Sequence, residues 1–228
     1  MISIITRCRN RLEYTTQVLD AVKQNTKCDY EHIIVDNDSS DGTKEWFAWM
    51  AKNTDWYNKV KYHRMERNCG DWGGMLYGAT VANNATVGNY IVQLDNDIIP
   101  CEGWLTAMLT VLQNKSYRVV MLKRDNVAWK LKSLSVPVST GGVVTTRVER
   151  AVACYMMSKE DFDLCSKYIP EAQGAKSKYI MAGLTRRWKG LTIGKILNKT
   201  CYELQADAGN DIQREKYSPK NPQIWEKI

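Results

Sequence analysis

Two aspartates separated by one residue, Asp95 and Asp97, follow a short apolar run at residues 90–94. Such a run predicts a buried β-strand, and two carboxylates at its end repel each other unless a positive charge lies beside them. Mg²⁺ or Mn²⁺ carrying a diphosphate would supply that charge, because hard oxygen ligands suit these cations and the phosphates complete the coordination shell. An isolated D-x-D also arises by chance in surface turns, so the surrounding elements decide between a metal site and a turn.

The composition is typical of a soluble globular protein, with 228 residues, of which 44% are hydrophobic and 25% are charged. No window approaches the roughly 18 consecutive apolar residues of a membrane span, and the first residues predict a strand rather than a secretory signal. The seven cysteines are scattered, and the two histidines, His32 and His63, stand apart. This pattern disfavours a zinc site and a disulfide framework, so we expect reduced cysteines and a cytoplasmic location. The chain length suits one domain, which we expect at residues 1–228.

Charge is unevenly distributed between the two halves of the chain. Residues 1–100 hold 11 Lys+Arg against 13 Asp+Glu, a balance of −2, whereas residues 101–228 hold 21 against 12, a balance of +9. One interpretation is that the second half faces an anionic partner, and the alternative is ordinary solubilising charge.

Strands and helices alternate through the first 112 residues. The strands are predicted at residues 2–7, 32–35, 60–63 and 89–95, and a helix comes after each of them. This order favours an α/β fold whose mostly parallel central sheet carries helices on both faces. Ligands bind such sheets at the carboxyl ends of the strands. Polar clusters stand after three strands, at residues 6–11, 36–43 and 95–97, and a glycine-rich segment at 68–74 stands after the remaining one.

The pattern is less regular after residue 115. Strands are predicted at 117–122 and 152–157, a turn at 139–142, a short helix capped by Ser158 with Asp161 at its third position, and a helix at 179–188. From residue 205 onward polar residues, glycine and proline predict an irregular tail.

Four segments in this order resemble the nucleotide-sugar-binding half of family 2 glycosyltransferases with the GT-A fold. They are Thr6-Arg7-Cys8-Arg9-Asn10-Arg11, Val35-Asp36-Asn37-Asp38-Ser39-Ser40-Asp41-Gly42-Thr43, Asn68-Cys69-Gly70 and Asp95-Asn96-Asp97. The second segment is similar to the family pattern V-D-N-x-S-x-D-G-T. The resemblance covers residues 2–112 well and the remainder weakly. It implies one GT-A domain with a nucleotide-sugar-binding half at 1–112, and an acceptor-binding half with its tail at 113–228.

The resemblance also implies roles for individual residues. Asp36 would accept hydrogen bonds from the base or ribose, Asn68 and Gly70 would let the backbone approach the nucleotide, and Asp97 would bind the metal. The implied donor-binding set is Thr6, Arg7, Arg11, Asp36, Asp38, Asn68, Gly70, Asp95 and Asn96, and the implied metal ligands are Asp95 and Asp97. Bound Mn²⁺ or Mg²⁺ would neutralise the diphosphate leaving group.

Some of these residue types have simpler explanations. Arg7 and Arg11 could assist with phosphate charge or could be solvated arginines beside a helix. Turn and capping geometry is the favoured role of Ser39 and Asp41. Trp104 resembles an aromatic residue near the family's acceptor channel, and it also suits a core position of an amphipathic helix.

The second half departs from the family pattern. An inverting member carries a Glu-Asp pair before an Arg and a Gly, and one of these carboxylates deprotonates the acceptor hydroxyl. Residues 183–191 resemble the family segment on the C-terminal side of that pair, but Ile180-Met181 stands where the pair is expected. Candidate replacements are Asp207 and Asp211, or Glu149. The alternatives are a different alignment of this half, a retaining mechanism that needs no such base, and a protein that binds its ligand without turnover.

The sequence therefore predicts a metal-dependent hexosyl- or pentosyltransferase. The expected donor is a nucleoside-diphosphate sugar, with a UDP-sugar as the first choice, and the expected acceptor is a hydroxyl. The charge of the second half favours an anionic acceptor such as modified DNA or a phosphorylated glycan or lipid. The alternative is a non-catalytic nucleotide-sugar or nucleic-acid binding protein that retains the fold.

Overall fold

The computed structural model describes residues 1–55, 59–82, 90–125, 135, 137–148, 153–166 and 192–204. The described strands are β1 Ile2–Cys8, β2 Tyr30–Asp36, β3 Val60–Arg64, β4 Tyr90–Asp95, β5 Ile98–Pro100, β6 Val119–Arg124, β7 Val138–Thr140, β8 Val143–Val148, β9 Cys154–Ser158 and β10 Ile193–Glu203. The described helices are α1 Leu12–Asn25, α2 Thr43–Asn53, α3 Gly70–Val81, α4 Trp104–Gln113 and α5 Lys159–Ser166. The strands form one mixed sheet in the order β3-β2-β1-β4-β9-β6-β10-β8-β7, and β5 pairs with β10.

The first four strands, β3-β2-β1-β4, are parallel to one another. β1 and β2 are buried along their whole length and rich in isoleucine and valine, as strands covered on both faces are. Successive β1 side chains enter different cores: Ile4 packs in a cluster with Val18 of α1 and Met108 of α4, and Ile5 packs in a second cluster with Met75 of α3. Helices therefore cover both faces, as the sequence predicts.

The other half of the sheet has a different arrangement. β9 lies antiparallel between β4 and β6, β10 is parallel to β6, and β8 is antiparallel to β10. β7 and β8 form a hairpin whose turn, Gly141-Gly142, has positive φ at both residues, which confirms the predicted turn. The strand predicted at 152–157 is observed as β9, and the predicted cap of α5 is confirmed by the Asp161 N–H, which donates to Ser158 Oγ at 3.0 Å.

Strand β10 keeps β6 as a partner and changes the partner on its other side. Residues 193–196 pair with β8, the register with β6 shifts between Ile196 and Thr200, and residues 201–203 pair with β5. β5 begins one residue after Asp97, and Glu203 lies opposite Ile98. The end of β10 therefore lies beside the turn that holds Asp97.

Three further expectations concern burial, cysteines and the membrane. Trp104 is fully buried and its indole N–H donates to Thr26 Oγ1 at 2.9 Å, so it occupies a core position. All seven cysteines lie in the described ranges and are free thiols. Among the described helices, none combines the length and apolarity that a transmembrane span requires. The helix predicted at 179–188 and the tail from 205 lie outside the described residues.

Candidate functional site

The carboxyl ends of β1, β2 and β4 meet at one edge of the sheet. In the strand register Arg7 lies opposite Asp95 and Cys8 lies opposite Asp36. The residues that the sequence places at three separate strand ends are therefore neighbours in space, and a ligand site at this edge stays a prediction.

Asp95, the last residue of β4, is held by two donors. Its Oδ1 accepts hydrogen bonds from Arg7 Nη2 at 2.7 Å and from Gln93 Nε2 at 3.2 Å. Burial raises the pKa of the Asp95 carboxyl, while the positive charge of Arg7 opposes that rise. Within the described part of the chain, no side-chain donor contacts Oδ2 of Asp95, whose side chain is 32% exposed. Asp95 thus keeps one oxygen for a ligand at the sheet edge.

Asp97 lies in the turn between β4 and β5 and is only 8% exposed. Burial and the negative charges of Asp95 and Glu203 raise its pKa to about 7, and the positive charge of Arg11 opposes them. The Arg11 Nη1 atom lies 3.4 Å from Asp97 Oδ2. The charge of Arg11 therefore does not fully balance the negative charge around the Asp97 carboxylate, and an added cation would reduce the repulsion among Asp95, Asp97 and Glu203.

The chemistry of this edge fits a divalent cation that shares its shell with a phosphate ligand. Asp95 and Asp97 supply two carboxylates, and the described ranges contain no group of three or more His, Cys, Asp or Glu side chains arranged as a complete metal site. Mg²⁺ is commonly held by one or two carboxylates together with substrate phosphates and water. Burial first, and then the negative charges of Asp95 and Glu203, raise the pKa of Asp97, and a cation bound at this edge would offset the charge repulsion.

Glu203 is a carboxylate close enough to Asp97 to raise the pKa of Asp97, and sequence reasoning missed it. It pairs with Arg124 in a partly buried ion pair, and the N–H of the next residue, Leu204, donates to the Asp97 carbonyl at 2.8 Å. No apolar run marks it in the sequence, because residues 193–203 mix apolar residues with Lys195, Asn198 and Lys199. The residues proposed from the sequence as base candidates, Asp207, Asp211 and Glu149, lie outside the described residues.

Asp36 is completely buried and its oxygens are occupied. Oδ1 accepts the Ser39 N–H at 2.8 Å, and Oδ2 accepts the Tyr62 hydroxyl at 2.5 Å and Arg64 Nη1 at 2.8 Å. Arg64 also donates to Asp38 Oδ1 at 2.8 Å. Burial and the neighbouring Asp36 raise the pKa of Tyr62, which therefore stays protonated as a donor. A nucleoside would reach Asp36 by taking the place of Tyr62 or Arg64, and direct contact stays a prediction.

Asn37 is a second residue whose role sequence reasoning missed. Its Oδ1 accepts the Cys69 N–H at 2.8 Å, and its Nδ2 donates to the Gly70 carbonyl at 3.0 Å. Asn68 Oδ1 accepts the Gly70 N–H at 2.9 Å, and Gly70 has a φ of 73°, which favours glycine. Asn37 and Asn68 therefore shape the loop that leads into α3, and the asparagine of the V-D-N segment was the signal.

The loop after β1 is clamped to the loop after β2. The Asn10 N–H donates to Ser39 Oγ at 2.8 Å, and the Leu12 N–H donates to Asp41 Oδ2 at 2.9 Å. Turn and capping roles for Ser39 and Asp41 are thus observed. Asp41 caps the start of α1 as well as the start of α2, where its Oδ1 accepts the Thr43 N–H at 3.3 Å. The clamp holds Arg11 in a left-handed conformation, with a φ of 62°, beside Asp97.

The side chains of two members of the predicted donor-binding set are engaged by other parts of the fold. Thr6 is fully buried, and its Oγ1 is 2.9 Å from His32 Nε2 in the sheet interior. Asn96 Nδ2 donates to Thr15 Oγ1 of α1 at 3.2 Å. The edge itself is formed by Arg7, Arg11, Asp95 and Asp97, and contact of Thr6 and Asn96 with a donor stays a prediction.

The family model described as glycosyl transferase family 2 matches residues 3–141, more than half of the chain. The chain belongs to glycosyl transferase family 2. The match spans β1 to β7 of this family 2 chain and includes Asp36, Asp95 and Asp97.

Solved glycosyltransferase structures share the architecture of this family 2 chain. GalNAc-T7 with UDP, GalNAc and Mn²⁺ superposes with a TM-score of 0.73 at 15% identity, covering 89% of this chain and 43% of that one. The 1-349 fragment of S. aureus TarS in complex with UDP-GlcNAc gives 0.64 at 16% identity, covering 88% and 57%. The same fragment with UDP gives 0.65 at 17% identity, covering 88% and 59%. The chain thus spans about half the length of these structures, and the predicted GT-A fold is confirmed.

Proposed function

We propose that this family 2 chain is a metal-dependent glycosyltransferase that moves a hexose or pentose from a UDP-sugar to an acceptor hydroxyl. The observation that carries the proposal is the pair of carboxylates Asp95 and Asp97 at the carboxyl edge of a parallel sheet, with Arg7 beside the first and Arg11 beside the second. Structures of the same fold support it, since GalNAc-T7 contains UDP and Mn²⁺ and TarS contains UDP-GlcNAc.

Asp95 and Asp97 would hold the cation, which when bound supplies positive charge to the diphosphate leaving group. Arg7 keeps the Asp95 carboxylate oriented through Oδ1, and Arg11 lies at the same edge, 28% exposed, where it can turn toward a phosphate. The loop at 68–70 would let the backbone approach the nucleotide, with Gly70 as the residue without a side chain.

For the general base we propose Asp207 or Asp211, as the sequence indicates. The end of β10 supports this proposal, because Leu204 is hydrogen-bonded to the loop of Asp97. Residue 207 lies three positions later, and an extended chain advances about 3.3–3.6 Å per residue. The length of chain between Leu204 and either carboxylate is therefore compatible with this proposal.

For the acceptor we propose an anionic molecule, such as modified DNA or a phosphorylated glycan or lipid, because residues 101–228 carry a balance of +9. Electrostatic binding to DNA should weaken steeply as the salt concentration rises, so binding that does not depend on salt would exclude DNA as the acceptor. We also propose a reducing compartment such as the cytoplasm, which the seven free thiols support.

The deciding experiment is calorimetric titration with UDP and Mn²⁺, and then an assay of UDP-sugar hydrolysis and transfer. We expect Mn²⁺-dependent UDP binding that Asp97→Asn abolishes, because the variant removes one of two anionic ligands. Asp163→Asn is the matched control, since Asp163 is exposed on α5 and pairs with Lys159. Unchanged binding in the Asp97 variant would refute the metal assignment. Binding without turnover of any donor would favour the alternative, a non-catalytic nucleotide-sugar binding protein, which Ile180-Met181 supports.

A further inference from the structure

Two buried polar side chains connect strand β9 to the candidate metal edge. Gln93 of β4 and Tyr155 of β9 lie opposite each other in the strand register and are 1% and 3% exposed. The Tyr155 hydroxyl donates to Gln93 Oε1 at 2.6 Å. Burial raises the pKa of Tyr155, so the hydroxyl remains protonated and donates at all ordinary pH values. The carbonyl end of the Gln93 amide is thereby directed toward β9.

The other end of the Gln93 amide faces the metal edge. Residues 93 and 95 share one face of β4 because side chains alternate along a strand. Gln93 Nε2 donates to Asp95 Oδ1 at 3.2 Å, the same oxygen that accepts Arg7 Nη2 at 2.7 Å. Two donors on one oxygen restrict the rotation of the carboxylate, and they leave Oδ2 turned away from both. Two hydrogen bonds therefore link the Tyr155 hydroxyl to Asp95 through Gln93.

Arg7 is itself held in place. Its Nη1 donates to the Asp71 carbonyl at 2.9 Å, in the first turn of α3. A Cβ at Gly74 would stand 3.2 Å from Arg7 Cγ, so the glycine leaves room for the buried arginine stem. Asp95 is consequently fixed from two sides by groups that cannot easily shift.

We propose that Gln93 and Tyr155 are positioning residues for the divalent cation and that they act through Asp95. This inference rests on the proposed function. A buried glutamine in a central strand is unfavourable unless it is hydrogen-bonded, and its partner Tyr155 belongs to an apolar cluster with Met75, Met121 and Met157. Partners that orient a metal ligand without touching the metal typically contribute about 10–100-fold in affinity.

The test uses Gln93→Met and Tyr155→Phe in the full chain, with Mn²⁺ and UDP as probes. We expect Gln93→Met to weaken Mn²⁺ binding about tenfold, measured by electron paramagnetic resonance of free Mn²⁺ and by calorimetry. Tyr155→Phe should weaken it about threefold, because Gln93 remains and loses one hydrogen bond. The apparent KM for Mn²⁺ should rise by the same factors while kcat at saturating Mn²⁺ is retained. Tyr30→Phe is the control, since it removes a tyrosine hydroxyl at the opposite end of β2 from Asp36.

The outcomes separate the inference from the proposed function. If the wild-type chain binds Mn²⁺ and UDP, and both folded variants bind Mn²⁺ with unchanged affinity, the positioning role is overturned and the proposed function stands. A lower kcat or less folded protein with unchanged Mn²⁺ affinity would show a purely structural role, which also overturns the inference. If Gln93→Met does not fold, Tyr155→Phe decides, because it removes one atom. Absence of Mn²⁺-dependent UDP binding in the wild-type chain would overturn both proposals.

Discussion

Asp36 and Asp97 are two buried aspartates at the same edge of the sheet with opposite electrostatic surroundings. Asp36 is fully buried, and its carboxylate accepts hydrogen bonds from Ser39, Tyr62 and Arg64. Asp97 is 8% exposed, lies 3.4 Å from its arginine partner and has its pKa raised to about 7 by burial and neighbouring carboxylates. The hydrogen bonds to the Asp36 carboxylate join β2 to β3 and to its own turn, whereas the buried Asp97 carboxylate has neighbouring negative charges, which fit the proposed role of Asp97 in holding a cation.

The largest expected effect concerns the stability of Asp36 variants. Asp36→Asn removes the charge that Arg64 and Tyr62 face and turns an amide toward their donors. We expect the free energy of unfolding to fall by about 2–4 kcal/mol. The lower end of this range applies because Arg64 is 30% exposed and water can solvate it when its partner is lost. Urea denaturation of the metal-free chain measures it. Asp97→Asn should be neutral or slightly stabilising in the same assay, and an equal loss in both variants would contradict the comparison.

The pH dependence of stability should sharpen the comparison next. The pKa of Asp97 is about 7 in the folded chain and about 3.9 in an unfolded one. Between these values the folded state binds more protons, so the free energy of unfolding is highest below pH 4 for this group and falls as the pH rises toward 7. We expect a contribution of roughly 2 kcal/mol between pH 5 and 7. Urea titrations at several pH values measure it, and Asp97→Asn should lose this component of the slope.

How far the sequence predicts this edge depends on how local each feature is. Periodicity and strand-end polarity predict β1 to β4 and the convergence of Arg7, Asp95 and Asp97, because parallel strands place their carboxyl ends together. The saturation of Asp36 was not predictable, since its donors Tyr62 and Arg64 come from β3, 26 and 28 residues away. Pairing over such distances leaves no periodic signal in either strand.

The second half of the sheet shows the same limit more strongly. The sequence predicts strands near β6 and β9, but their order and direction depend on contacts between distant segments. The insertion of β9 between β4 and β6, the register shift in β10 and the position of Glu203 close to Asp97 are therefore visible only in the structure. Asn37 differs from these cases, because its segment carries a clear family pattern in the sequence. Only its hydrogen bonds to residues 69 and 70 could not be predicted from that pattern.

Mn²⁺ affinity should also depend on the ionisation of Asp97. A proton and a cation compete for this carboxylate, so affinity should rise about tenfold between pH 6 and pH 8 and level off above the pKa of about 7. Calorimetry in the presence of UDP measures the profile. Asp36→Asn should keep the same profile if its fold is intact, because Asp36 faces Tyr62 and Arg64 rather than the cation. A flat profile in the wild-type chain would contradict the role given to Asp97.

The smallest expected effect comes from Arg11, the cation that already lies beside Asp97. Arg11→Met removes a positive charge 3.4 Å from Oδ2, so Mn²⁺ without UDP should bind about threefold more tightly. With UDP present the gain should disappear or reverse, since the proposed contact between Arg11 and the diphosphate is lost as well. Arg9→Met is the matched control, because Arg9 is exposed in the same loop. If the variant binds both Mn²⁺ and Mn²⁺–UDP more tightly, Arg11 only competes with the cation. If it binds Mn²⁺ more tightly but Mn²⁺–UDP more weakly, Arg11 moves from Asp97 to the phosphates when UDP binds.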